Sequence, residues 1–145
     1  MKINTQWCHE SELEIPFHDV DLLEVAWHGH YTKYFEIART HLMESIGYSY
    51  TEMRASGFAW PIIDLQIRYV SPALLGEKVR VTSWIAEYES KLKIGYLMTD
   101  LTGTRRIAKG YTVQVAVDWL KREMHFVSPE ILFKKLGINK NNRSN

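Results

Sequence analysis

Apolar and polar residues change rhythm along this chain. Residues 13–17 alternate, with Leu13, Ile15 and Phe17 on one side, which predicts a first strand packed on one face. Residues 19–29 read as a loop. From 30 to 46 the period lengthens: Tyr31, Phe35, Ala38, Leu42 and Ile46 fall on one helical stripe, and Tyr34 and Ile37 widen it. An apolar arc that wide predicts a helix wrapped by other structure. Gly47 follows the last periodic residue, where a glycine in the left-handed conformation ends a helix without steric cost. Ser49 and Glu52 have capping-box spacing and predict a short second helix ending near Gly57.

The remainder reads mainly as strand. Across 62–69, Ile63, Leu65, Ile67 and Tyr69 alternate with Asp64, Gln66 and Arg68, predicting one buried and one polar face. Ser71-Pro72-Ala73 breaks that run. Residues 79–88, 93–101 and 106–117 predict three more strands in an antiparallel meander, with turns at Glu89-Ser90 and Thr102-Gly103. A last helix is expected over 128–136, with Ser128 as its cap and Pro129 in its first turn, before a polar tail over 139–145. This order is neither alternating βαβ nor all-β. It predicts an α+β layout in which a curved antiparallel sheet of about five strands covers one long helix. Such a sheet leaves edges that favour pairing with a second subunit. No repeat or linker divides the chain, so one domain is expected over 1–145.

Composition narrows the function classes. The 145 residues are 46% apolar, enough for one sizeable core. With 18 basic against 17 acidic residues, the net charge of +1 gives no general attraction to nucleic acid or an anionic membrane. No apolar run approaches the roughly 20 residues needed to span a bilayer, so membrane insertion is not expected. A single cysteine, Cys8, excludes an internal disulfide, and residues 1–10 are polar; a cytoplasmic protein is expected. Cys8 reads as an incidental thiol. There is no glycine-rich phosphate loop, serine nucleophile elbow or zinc spacing. His28 and His30 stand two apart, a spacing that a helix places on different faces, so no metal is expected.

Candidate chemistry concentrates in His18-Asp19-Val20-Asp21-Leu22-Leu23-Glu24-Val25-Ala26-Trp27-His28-Gly29-His30-Tyr31, followed by Tyr34-Phe35-Glu36-Ile37-Ala38-Arg39. A positioned carboxylate suits attack on a thioester carbonyl, either directly or by taking a proton from water. On residue type alone, Asp19 and Asp21 read as solvated loop or turn residues. The segment resembles the signature of the 4-hydroxybenzoyl-CoA thioesterase family and its short-chain bacterial acyl-CoA thioesterase relatives, and the order of the later elements follows that family too.

The resemblance implies the hotdog fold and hydrolysis, without a cofactor, of an acyl-CoA or acyl-carrier-protein thioester at the interface of a homodimer or homotetramer. It places the catalytic carboxylate on Asp21, as nucleophile or general base, with Asp19 at the first acidic position. His28 falls where the family has His or Tyr, beside the helix start, where a backbone N–H binds the thioester oxygen; a helix N-terminus suits developing negative charge. The His28 side chain is also placed to orient water or protonate the departing thiolate. Trp27, Gly29, His30 and Tyr31 become substrate-binding positions, Gly29 by letting substrate approach the backbone and Tyr31 by framing the acyl pocket. Glu24 stands where many relatives carry glycine, and Leu22 and Leu23 replace smaller residues. A differently shaped backbone and an altered acyl entrance are therefore expected.

Other readings remain open. Glu36 is a second candidate carboxylate, since another hotdog branch carries its acid on the central helix; an ion pair with Arg39 is the simpler role for it. Lys91, Lys93, Arg105 and Arg106 either hold the phosphates of CoA, face an acyl carrier protein, or are merely solvated. A hotdog dehydratase and a non-catalytic acyl-thioester-binding protein are the alternative functions, Glu24 being the hint for the second.

Overall fold

A computed structural model describes residues 1–139; the predicted polar tail, Asn139 apart, lies outside the described residues. In chain order the elements are β1 (Cys8–Glu14), α1 (Tyr31–Ser45), α2 (Tyr50–Ala55), β2 (Phe58–Ala59), β3 (Ile62–Tyr69), β4 (Lys78–Glu87), β5 (Leu92–Asp100), β6 (Arg106–Gln114), β7 (Val117–Asp118) and α3 (Glu130–Lys135). Single 3-10 turns at Phe17–Asp19 and His28–His30 lie between β1 and α1. Five strands form one antiparallel sheet in the order β1-β4-β5-β6-β3, and β2 pairs with β7 apart from it.

The helix α1 crosses the sheet over β1 and β4. Its stripe packs as its spacing predicts: Tyr31, Tyr34, Phe35, Ala38 and Leu42 are buried, and the Phe35 ring stacks on Tyr96 with centroids 4.5 Å apart. Full burial of a side chain such as Phe35 or Leu42 contributes about 1.5–3 kcal/mol. Ile37 does not join them; it is 39% exposed. Gly47 adopts φ +77° and ends the helix. Ser49 accepts the Glu52 N–H, but the Glu52 carboxylate pairs with Lys135 at 3.7 Å, so half of the capping box forms.

The first strand starts at Cys8, earlier than the apolar alternation predicts. Glu10 and Glu12 disguise it, because they lie in the strand and pair with Arg80 of β4. Ile15 is fully buried, but Pro16 lacks a ladder N–H and the chain turns, leaving Phe17 79% exposed. At the other end of the sheet, β3 is an edge strand that is covered only in part: Ile67 packs against the core and the Tyr69 ring meets Tyr31 of α1. Much of the side expected to be buried is therefore open: Ile63 is 59%, Leu65 41% and Tyr69 48% exposed. The strand predicted over 106–117 ends at Gln114, since the chain bends at Val115 and Ala116 before β7 pairs with β2. The last helix begins two residues later than predicted. Pro129 holds its extended cap position without a side-chain bond, and the Ser128 hydroxyl is buried with no partner among the described residues.

Candidate active site

Between β1 and α1 the chain makes a small hairpin whose stem is the Val20–Ala26 bridge. Asp21 N–H donates to Val25 O at 3.0 Å, and Glu24 N–H donates to Asp21 O at 3.0 Å. The Asp21 carboxylate faces solvent and accepts the Leu23 N–H at 2.8 Å. Glu24 adopts φ +61°, the left-handed region that glycine enters freely. Glu24 thus carries a side chain in a conformation that glycine adopts more freely. Leu22 and Leu23 stand at the tip, 102% and 81% exposed.

Two residues before Asp21, Asp19 is sealed, its side chain 1% exposed. One oxygen accepts Lys33 Nζ at 2.6 Å and the Tyr34 hydroxyl at 2.7 Å; the other lies 3.9 Å from His30 Nε2. Burial pushes the Asp19 carboxyl up, but the hydrogen bonds from Lys33 and Tyr34 outweigh it and hold the group below the usual carboxylate range. Burial and the neighbouring Asp19 carboxylate push the Tyr34 hydroxyl up. Asp19 O also accepts the Trp27 N–H at 2.9 Å. One buried carboxylate thereby ties the hairpin to the first turn of α1.

The remaining predicted residues gather at that helix start. Trp27 lies against His28 and His30, ring centroids 5.0 and 5.4 Å away. Its indole covers Gly29, where an added Cβ would meet the ring at 2.0 Å. Gly29 therefore makes room for Trp27, rather than leaving the backbone open to substrate. Tyr31 is buried, and its hydroxyl oxygen accepts the Ala73 N–H at 3.2 Å. Tyr69, from the edge strand, donates its hydroxyl to His28 O at 2.8 Å and meets the Tyr31 ring at 5.0 Å. No hydrogen bond or ion pair joins Asp21 to His28 among the described residues. Among the described residues no side chain caps α1; the His28–His30 turn leads straight into it, the Tyr31 N–H donating to His28 O, so the positive end of the helix dipole lies at that turn.

Lys33, Tyr34 and Tyr69 were not legible as site residues. Lys33 and Tyr34 carry no local signal pairing them with Asp19, and Tyr69 reaches His28 across 41 positions of sequence. Glu36 pairs with Arg39 at 3.3 Å within the helix. Burial and then Glu10 push the Cys8 thiol up, opposite to what an activated nucleophile needs. No group of three metal-ligating side chains occurs among the described residues, and none of their helices is long and apolar enough to cross a membrane.

A helix laid across an antiparallel sheet, with a solvent-facing carboxylate on the hairpin before it, defines a protein of hotdog architecture. Residues 15–134 match the model of the Thioesterase-like superfamily, and the chain belongs to that superfamily. Its relatives include the Bacillus subtilis protein YneP, named as a candidate acyl-CoA thioesterase, 29% identical over 110 residues that span 75% of this chain and 79% of YneP. Among solved structures, the DHNA-CoA thioesterase of Staphylococcus aureus superposes with a TM-score of 0.74 at 25% identity, covering 81% of this chain and 78% of that one. A hypothetical protein of Thermus thermophilus superposes with a TM-score of 0.78 at 26% identity, covering 88% and 96%.

Proposed function

We propose that this protein hydrolyses acyl-CoA thioesters, water and thioester giving a free carboxylic acid and a thiol, with Asp21 as the acting carboxylate. The observation that carries this reading is the contrast between two aspartates in one hairpin. Asp19 is committed to Lys33 and Tyr34, whereas Asp21 keeps a carboxylate open to solvent, as a group that must reach a substrate requires. Asp21 either attacks the carbonyl carbon or removes a proton from the attacking water. The positive end of α1 would stabilise the negative charge that develops on the carbonyl oxygen, and in this reading His28 protonates the leaving thiolate.

The same reading makes the working unit a dimer built on β3. Its apolar side is uncovered and its backbone edge is free for pairing. At its far end, Ile62 pairs with Gln114, which lines a cavity of about 330 Å³ together with Met43, Met53, Trp60 and Trp119. At its near end, about 23 Å away at strand rise, Tyr69 holds His28. Two copies of β3 paired antiparallel about a two-fold axis would bring each cavity towards the other chain's His28 turn, where an acyl group could occupy it. An acyl-carrier-protein thioester is the second donor considered. Free-thiol release from a panel of aliphatic and aromatic acyl-CoAs tests the proposal. Turnover on at least one member is expected, and none on any CoA or carrier-protein thioester would overturn it.

A further inference from the structure

The other face of the sheet carries a hollow. Trp84, Gly95, Tyr111 and Gln66 are register partners across β4, β5, β6 and β3, so their side chains share one face. Ser83, next to Trp84, points the other way and donates to Ala38 O of α1. The Trp84 face is therefore the one that α1 does not cover. Gly95 shapes it: a Cβ there would meet the Trp84 ring at 2.4 Å, so the indole lies flat across the glycine and leaves a hollow of about 520 Å³.

Four cations line that hollow, Arg68, Lys93, Arg106 and Lys109, and no Asp or Glu does. None of the four has a carboxylate within 4.0 Å among the described residues, while Arg80, Lys91 and Arg105 are each paired with glutamates. Lys93 Nζ lies 4.4 Å from the Tyr111 ring centroid. Trp84 is 3% exposed, and its buried Nε1–H has no hydrogen-bond partner among the described residues. In a chain whose net charge is only +1, four like charges gathered without counter-charge repel one another unless an anion joins them. A concave hollow of this size suits a small ligand, not the extended stripe that a nucleic-acid strand follows.

We infer that this face binds a small phosphorylated anion, its pyrophosphate oxygens held by Arg68, Lys93, Arg106 and Lys109. Arginine forks and lysine ammonium groups supply charge-assisted donors, and the Trp84 N–H adds a neutral one. The phosphates arrive either on a free nucleotide or on the nucleotide end of CoA. The site stands on its own geometry and does not need the thioesterase reading.

Calorimetric titration of the full chain with inorganic pyrophosphate, ADP and CoA tests it, comparing wild type with the Arg68→Gln/Lys109→Gln double variant. All three probes are expected to bind wild type, about 10-fold or more weaker in the double variant, and weaker again as salt rises. Arg80→Gln, on a paired arginine away from the hollow, should bind like wild type. ADP equal to CoA makes any nucleotide the source; CoA about 10-fold tighter than ADP, and weakened by the double substitution, makes CoA the source. Absence of binding at low salt, or binding untouched by the double substitution, overturns the inference. Pyrophosphate binding in a protein that hydrolyses no thioester would sink the thioesterase reading alone.

Discussion

The Tyr34 hydroxyl donates to Asp19 at 2.7 Å, on the same carboxylate oxygen that Lys33 reaches at 2.6 Å. Hydrogen bonds and opposite charge lower the Asp19 pKa below 3.8 despite burial. A depressed carboxylate contributes stability that is present above its unfolded pKa and is lost as pH falls through its folded one. Asp19→Asn should therefore lose about 1–3 kcal/mol at pH 7, a figure discounted because Lys33 is partly exposed. It should also show a flatter loss of stability below about pH 4. Urea unfolding at pH 7 and pH 3 checks both.

Glu24 occupies the left-handed region at φ +61°, where a side chain is disfavoured by about 1 kcal/mol or more. Glu24→Gly should stabilise the fold by about that amount, raising Tm by roughly 2–4 °C for a chain of this size. A calorimetric scan that shows destabilisation would mean that the Glu24 side chain holds the hairpin.

Tyr69→Phe removes only the bond to His28 O. The change in stability should stay near 1 kcal/mol. If the bond positions the start of α1 for catalysis, kcat/KM should fall several-fold more than stability accounts for. Parallel measurement of Tm and acyl-CoA hydrolysis separates the two.

Leu65 is 41% exposed at the middle of the edge strand. Leu65→Lys, a charge placed on the surface proposed to pair with a second copy, should leave the chain folded but monomeric by light scattering. Hydrolysis should be lost with the dimer, because each cavity would no longer reach the other chain's hairpin.

Much of the fold was legible because periodicity reports burial directly: Tyr31, Phe35, Ala38 and Leu42 announced α1, and Gly47 its end. The reading erred where burial depends on something outside the local segment. Ile63, Leu65 and Tyr69 alternate like a buried strand but sit on the sheet's edge strand, 59%, 41% and 48% exposed. Glu10 and Glu12 hid β1, because ion pairs with Arg80 let charged residues occupy a strand. At the site, the family pattern drew attention to the hairpin and the helix start. It did not distinguish a sealed Asp19 from an open Asp21, since that difference is made by Lys33 and Tyr34, a helix turn further on. The basic residues grouped by sequence also separated: Lys91 and Arg105 are paired, whereas Lys93 and Arg106 join Arg68 and Lys109 through strand register.

The most direct measurement compares thiol release by wild type and Asp21→Asn on the best acyl-CoA of the panel, with both proteins shown folded by circular dichroism. Loss of the acting carboxylate should lower kcat by about 10²–10⁴-fold and leave substrate affinity nearly unchanged. A folded Asp21→Asn protein that turns over at the wild-type rate would contradict the account.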